Sequence, residues 1–310
     1  MKNKPPFVTT LITFMMAFLF VTALSTTQTF AQGQTIYNGI PNPLPGNLSS
    51  QPYEAQQASE YGDRVQFTAG SGRNLLTVEQ TMSSFGCESG YWFSGDCVTT
   101  PGATFSHPIT LNIYNVGAGG TVGTLIGSVT QTFAIPYRPS ADPACGDGRW
   151  SDGTTCYNGY AFPITFNLGG LAVPDEVIYG ISYNTTHYGY SPIGESATCY
   201  STSGGCGYDS LNVALASAPP TVGIDPAPND AYFNTLTAAW YCDSGASGVG
   251  SFRLDAGCWT GYNPAVKFTA ANPATNANQC KNGGWQTRTR ANGSIFKNQG
   301  DCIQYVNTGK

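Results

Sequence analysis

The stretch PITLNIYNVGAGG, residues 108–120, alternates Ile109, Leu111 and Ile113 with Thr110, Asn112 and Tyr114, then stops in a glycine-rich turn. A side-chain period of two puts the apolar residues on one face, the signature of a half-buried β-strand. The segment from Val122 to Ile135 continues the pattern on the far side of that turn. Ile164, Phe166 and Leu168 alternate with Thr165 and Asn167 and end at Gly169-Gly170. Arg64 to Thr68, Leu75 to Met82, Glu176 to Asn184, Leu211 to Leu215 and Ala265 to Thr269 are short runs rich in the β-branched and aromatic residues that favour strands. Helical periodicity is confined to Glu54 to Tyr61. Many short strands with one apolar face, bounded by glycine and proline, pack as facing sheets or a closed barrel. The expected fold is all-β: a disulfide-rich β-sandwich, jelly-roll-like, with a small C-terminal module.

Composition narrows the class further. Of the 310 residues only 10% are charged, against 41% hydrophobic, 38 Gly and 20 Pro. That is well under the usual quarter of charged residues, which excludes coiled coils and charge-rich disordered tails and leaves uncharged polar groups to cover the surface. Residues 1–31 carry Lys2 and Lys4, an apolar run from Leu11 to Leu24, and small residues ending at Ala31, the pattern of a secretory signal peptide. Thr13 and Thr22 interrupt that run, which is shorter than the ~20 residues of a spanning helix, so no membrane span is expected after cleavage. The expected organisation is signal peptide 1–31, β-sandwich domain 32–269, linker 270–279 and a small basic C-terminal module 280–310. A split of the main body at 136–155 or 219–230 is the alternative.

The main body is acidic, whereas the tail holds Lys281, Arg288, Arg290, Lys297 and Lys310 against Asp301 alone. An acidic body repels nucleic acid and anionic lipid, so neither is an expected partner. The ten cysteines, Cys87, Cys97, Cys145, Cys156, Cys199, Cys206, Cys242, Cys258, Cys280 and Cys302, all follow the signal segment. An even count in an exported chain predicts five disulfides. Taken consecutively they close short Gly-, Ser- and Asp-rich loops, which favours sequential pairing while leaving other connectivities open. With no C-x-x-C and only His107 and His187, zinc ligation is not expected, nor is any cofactor. Asp142, Asp147 and Asp152 depart from calcium-loop spacing and predict Asp-Gly turns.

The tail segments CKNGGW (280–285) and FKNQGDC (296–302) resemble a C-terminal Cys-pair motif of exported proteins from actinobacteria and related bacteria. SPIGES (191–196), DSLNVAL (209–215) and CWTGYNPAVKF (258–268) look like segments of uncharacterised secreted bacterial β-sandwich surface proteins. The resemblance implies an extracellular or cell-surface address and brings no catalytic residue with it.

Catalytic motifs are scarce. There is no G-x-S-x-G elbow and no H-E-x-x-H. A glycoside hydrolase needs two carboxylates about 5–10 Å apart, for which Glu79, Glu88, Glu176 and Glu195 are the candidates. Aromatic residues point more directly to binding: Trp92, Trp150, Tyr157, Tyr188 and Tyr190 lie in or beside cysteine-closed loops, as do Trp240 and Trp259, and Trp285 lies in the tail. Rings held on rigid loops stack on the apolar faces of sugars, while the competing structural role is to fill the ends of the sandwich. The expected function is non-catalytic binding of cell-wall or environmental polysaccharide. A secreted glycan-active hydrolase and a structural or adhesive coat component are the alternatives, and the oligomeric state is left open.

Overall fold

The computed structural model describes residues 33–69, 73–92, 95–183 and 211–310. The signal segment, His187, Tyr188, Tyr190, Glu195, Cys199 and Cys206 lie outside the described residues. The strands are β1 (Gln34–Asn38), β2 (Ser50–Gln51), β3 (Ala58–Gln66), β4 (Asn74–Ser84), β5 (Thr104–Val116), β6 (Val122–Pro136), β7 (Trp150–Ser151), β8 (Cys156–Tyr157), β9 (Tyr160–Ala172), β10 (Glu176–Ser182), β11 (Leu211–Ala216), β12 (Asp230–Thr235), β13 (Arg253–Ala256), β14 (Asn263–Pro264) and β15 (Val266–Ala270). Thirteen of them form two antiparallel sheets that enclose one apolar core, and β7 and β8 pair apart as a two-stranded ribbon. In the first, β4 pairs with β9 along one edge and with β15 and β11 along the other; β1 flanks β15, and β2 and β14 flank β11. The second runs β13-β12-β3-β10-β5-β6. The protein is all-β and disulfide-rich.

Alternation determines which side chains meet. Along β3, Tyr61, Asp63 and Val65 turn into the core, whereas Glu60, Gly62 and Arg64 line the outer face. Leu111 and Ile113 of β5 and Val177, Tyr179 and Ile181 of β10 join the inner set. In β4 a bulge between Leu75 and Thr77 shifts the phase, so Leu75 is buried with Val78 and Met82 while Leu76 is displaced to the other side. The hairpin of β5 and β6 has no Asp, Glu, Lys or Arg, and its outer face carries uncharged pairs: Thr110 with Thr130 at 2.7 Å, and Ser128 donating to Asn112 at 2.7 Å. Such cross-strand pairs supply the polar cover that charges give elsewhere.

The long sides of the sandwich close differently. On one, β6 leans over β9, and Phe133 meets Phe166 edge-on at 5.0 Å. On the other, Trp259, in the turn after β13, lies 5.4 Å from Tyr61 of β3 and 5.7 Å from Phe233 of β12, close to β2 and β11.

The helix expected over Glu54 to Tyr61 does not form. Residues 53–56 make a turn, Gln57 adopts a left-handed φ of 52°, and β3 begins at Ala58. Helix-forming side chains are overridden by two ladders, because β3 pairs with both β10 and β12. The α-helix among the described residues is α1 (Gln299–Thr308), in the tail. Asn298 caps it by accepting the Asp301 N–H at 2.9 Å, and Gly309 ends it in the left-handed conformation. Ala274, Cys280, Phe296 and Cys302 form a small second core there, with Trp285, Ile303, Tyr305 and Val306 packed against it. Ala270, expected to open the linker, is the last residue of β15, and Ala271 and Ala274 are buried.

Among the described residues, four disulfides join consecutive cysteines: Cys87–Cys97, Cys145–Cys156, Cys242–Cys258 and Cys280–Cys302.

Candidate functional site

The predicted aromatic residues separate into two groups. Trp92, Trp150 and Tyr157 belong to the loops closed by Cys87–Cys97 and Cys145–Cys156. A fully buried Arg138 ties these loops together, donating to the carbonyls of Trp92 at 3.2 Å, Gly148 at 2.7 Å and Pro139 at 3.3 Å. Trp150 is only 5% exposed; its indole N–H donates to the Gly159 carbonyl at 2.6 Å, and its ring packs on Tyr157 and Tyr160. A saturated, covered indole fills a loop cluster and presents no face to a ligand. Trp92 and Tyr157 are half-buried, Trp92 against Phe85 at 5.2 Å. Trp285 packs against the separate tail core.

A different aromatic set does line a hollow. At the side of the sandwich plugged by Trp259, a depression of about 260 Å³ is bounded by Trp240, Trp259 and Tyr262 with Ser50, Gln51, Pro52, Gln56 and Leu215. Ser50 and Gln51 of β2 with Gln56 supply its polar wall, where Gln51 donates to Gln56 at 2.5 Å and Ser50 accepts from the buried Asn212 behind it at 3.0 Å; β11 adds the apolar Leu215. The segments flanking β13 supply the rings. Tyr262 is 48% exposed and Trp240 half-buried, whereas Trp259 is 8% exposed and anchors the floor.

Asp255 holds that floor in place. It is 1% exposed on β13, and its carboxylate accepts the Trp259 indole N–H at 2.9 Å and the Cys242 backbone N–H at 3.0 and 3.1 Å. Burial pushes its pKa up, partly offset by these hydrogen bonds and by Arg253. Arg253 lies over the Tyr241 ring at 3.9 Å and pairs with Asp243 at 2.8 Å. The turn carrying Trp259 and Tyr262 is pinned from three sides. Asn229 O accepts the N–H of Gly257 at 2.9 Å and of Trp259 at 3.1 Å, Tyr61 donates to the Tyr262 carbonyl at 2.8 Å, and Cys258 is bonded to Cys242. Cys242, Asp255 and Cys258 bring their ligand-type atoms together, but both sulfurs are committed to the disulfide, so the trio offers no thiolate to a metal.

The acidic candidates are placed in structural roles. Glu79 pairs with Lys267 at 2.7 Å, Glu176 with Arg64 at 2.6 Å, and Glu88 accepts the Thr100 N–H at 2.6 Å. The carboxyl raised on a polar face is Glu60, overlooked in the sequence. It is 7% exposed, lifted mainly by burial, and accepts from Asn112 at 2.9 Å and Tyr114 at 3.0 Å. Gly180 makes room for it, since a β-carbon there would lie 2.2 Å from its carboxylate oxygen. Asp63, three residues on, faces the opposite side of β3, so the two do not form the facing pair that glycoside hydrolysis requires.

No protein-family model, no curated protein and no solved structure matches the chain. Trp240 and Trp259 belong to the aromatic set visible in the sequence; Tyr262, Gln51 and Gln56 do not. The one sequence cue is C-W-T-G-Y at 258–262, two rings spaced around a glycine beside a cysteine.

Proposed function

We propose that this protein acts outside the cytosol as a non-catalytic surface protein that binds polysaccharide in the hollow of Trp240, Trp259 and Tyr262. The observation carrying this reading is a rigid aromatic depression with amide and hydroxyl groups on its facing wall, the combination that stacks on a sugar ring and hydrogen-bonds its hydroxyls. The disulfides support the address, since such bridges persist in oxidising compartments, and residues 1–31 supply the export pattern. The half-buried Trp92 and Tyr157 and the tail cations are secondary contacts in this reading.

A glycan array probed with the secreted protein tests it. Binding is expected to at least one wall or plant polysaccharide, weakened tenfold or more, about 1.4 kcal/mol, by Trp240→Ala or Tyr262→Ala. A flat array would favour the coat component without a small ligand.

A further inference from the structure

A second hollow, of about 430 Å³, adjoins the first. Its walls are Pro219, Pro220, Ile224 and Pro228, with Asn229, Thr260 and Asn263 at its polar side. The turn of residues 258–263 divides the two: Cys258, Trp259 and Tyr262 line the first, Thr260, Gly261 and Asn263 the second. The end of β11 does the same, with Leu215 in one and Ser217 in the other. The dividing turn and the far wall are one rigid unit, because Thr260 donates to the Asn229 side chain at 2.5 Å and Asn229 O holds the N–H groups of Gly257 and Trp259. Gly261 lies on this dividing turn with a φ of 78°, and a β-carbon built on it would meet nothing within 4 Å. The backbone at Gly261 is therefore open on its side-chain side, between residues that line one hollow and residues that line the other. The first hollow alone is smaller than the roughly 300–1,000 Å³ of ligand clefts, whereas the second, by itself or with the first, falls within that range.

Charge narrows the ligand. Asp225 lines the second hollow, and Asp230 lies close enough to interact with it electrostatically; Arg64 is the opposing cation in the same cluster. A wall of this sign disfavours uronic-acid and phosphate polymers.

We infer that the two hollows are consecutive subsites of one groove that takes an extended, uncharged oligosaccharide crossing the turn at Gly261. This rests on the glycan reading of the first hollow. Thr260, Asn263 and Asn229 then contact sugar units beyond the one stacked against Tyr262 and Trp240, and affinity grows with chain length.

Calorimetric titration of the full chain with two-unit and six-unit members of the cello-, manno-, xylo- and chito-oligosaccharide series, and with hexagalacturonate, tests the inference. In the series that binds, the six-unit member is expected to bind at least tenfold more tightly than the two-unit member. Ser217→Trp, which fills the second hollow from an exposed position, is expected to abolish that gain and leave two-unit binding unchanged. Asn263→Ala provides a second variant that adds no bulk, and near-ultraviolet circular dichroism checks that both fold. Equal affinity for both lengths, a gain that survives both variants, or tightest binding of hexagalacturonate overturns the inference and leaves the first hollow standing. Absence of binding in every series, or binding indifferent to Trp240→Ala and Tyr262→Ala, overturns the glycan reading and the groove with it.

Discussion

Asp63 is buried in the core of the sandwich, with the phenols of Tyr37, Tyr61 and Tyr179 around it. Burial, reinforced by Asp225 and Asp230, lifts its carboxyl well above the ordinary aspartate range; the Arg64 N–H it accepts and the Arg64 charge offset only part of this. The unfolded chain would ionise it near pH 3.9. The folded state therefore holds the extra proton, so stability is fully present below that pH and is lost as pH rises toward the folded value. Asp63→Asn keeps the acceptor for the Arg64 N–H at 2.7 Å and has no proton to lose. The variant is expected to gain on the wild type as pH rises, with a flatter dependence over the range from about pH 4 to neutrality. Urea denaturation across that range checks this; a wild-type unfolding free energy that stays level would contradict it. Nothing in the sequence announces this group, since its environment comes from three strands and the loop carrying Asp225. The same holds for Asp255, whose partners Cys242 and Trp259 become neighbours only through the disulfide and the turn.

Among the elements, the turn of residues 257–262 carries the functional proposal, and the Cys242–Cys258 bridge, with a sequence separation of 16, restrains it. A loop of that size contributes about 3 kcal/mol in the chain-entropy account. Replacing both cysteines by serine is expected to lower the unfolding free energy by about that amount, and to change tryptophan fluorescence as Trp259 loses its fixed position. Unaltered stability and emission would show that Asp255 and Asn229 hold the turn unaided. The strands were legible because an apolar/polar alternation such as that of Ile109 to Tyr114 survives any arrangement of the sheets. Two elements were not. Residues 54–61 have helix-forming composition, yet 54–57 form a turn and pairing with β10 and β12 recruits Ala58 to Tyr61 into a strand. Helix α1 lies in a polar stretch of ten residues, where the main cues are the Asn298 cap with Asp301 and the closing Gly309.

For the molecule as a whole, two apolar cores rather than one decide how it opens. The main core lies between the sheets, while Ala274, Cys280, Phe296 and Cys302 pack separately. Units with their own cores open independently, with local free energies that follow their size. Hydrogen exchange followed by mass spectrometry is expected to show the slowest amides in β3, β4 and β10, which have ladder partners on both edges, and a distinctly faster set in α1. Exchange of α1 and β10 at one common rate would make the protein a single cooperative unit. Low charge acts at this scale too: a surface covered by threonine, serine and asparagine pairs leaves few exposed cations outside the tail.

Strand periodicity, cysteine number and the charge asymmetry between body and tail are local or additive properties, so the chain alone determined an all-β, disulfide-rich protein with a basic end. Which rings share a hollow is a different kind of fact. Trp240, Trp259 and Tyr262 meet Ser50, Gln51 and Gln56 across nearly 200 residues of chain, at an edge that exists only once two sheets have packed. Trp150, identical in type and as promising in sequence, is covered instead by Tyr157 and Tyr160 in a loop cluster. Only the tertiary structure could separate the two, because side-chain exposure depends on what packs against a residue and not on the residue itself.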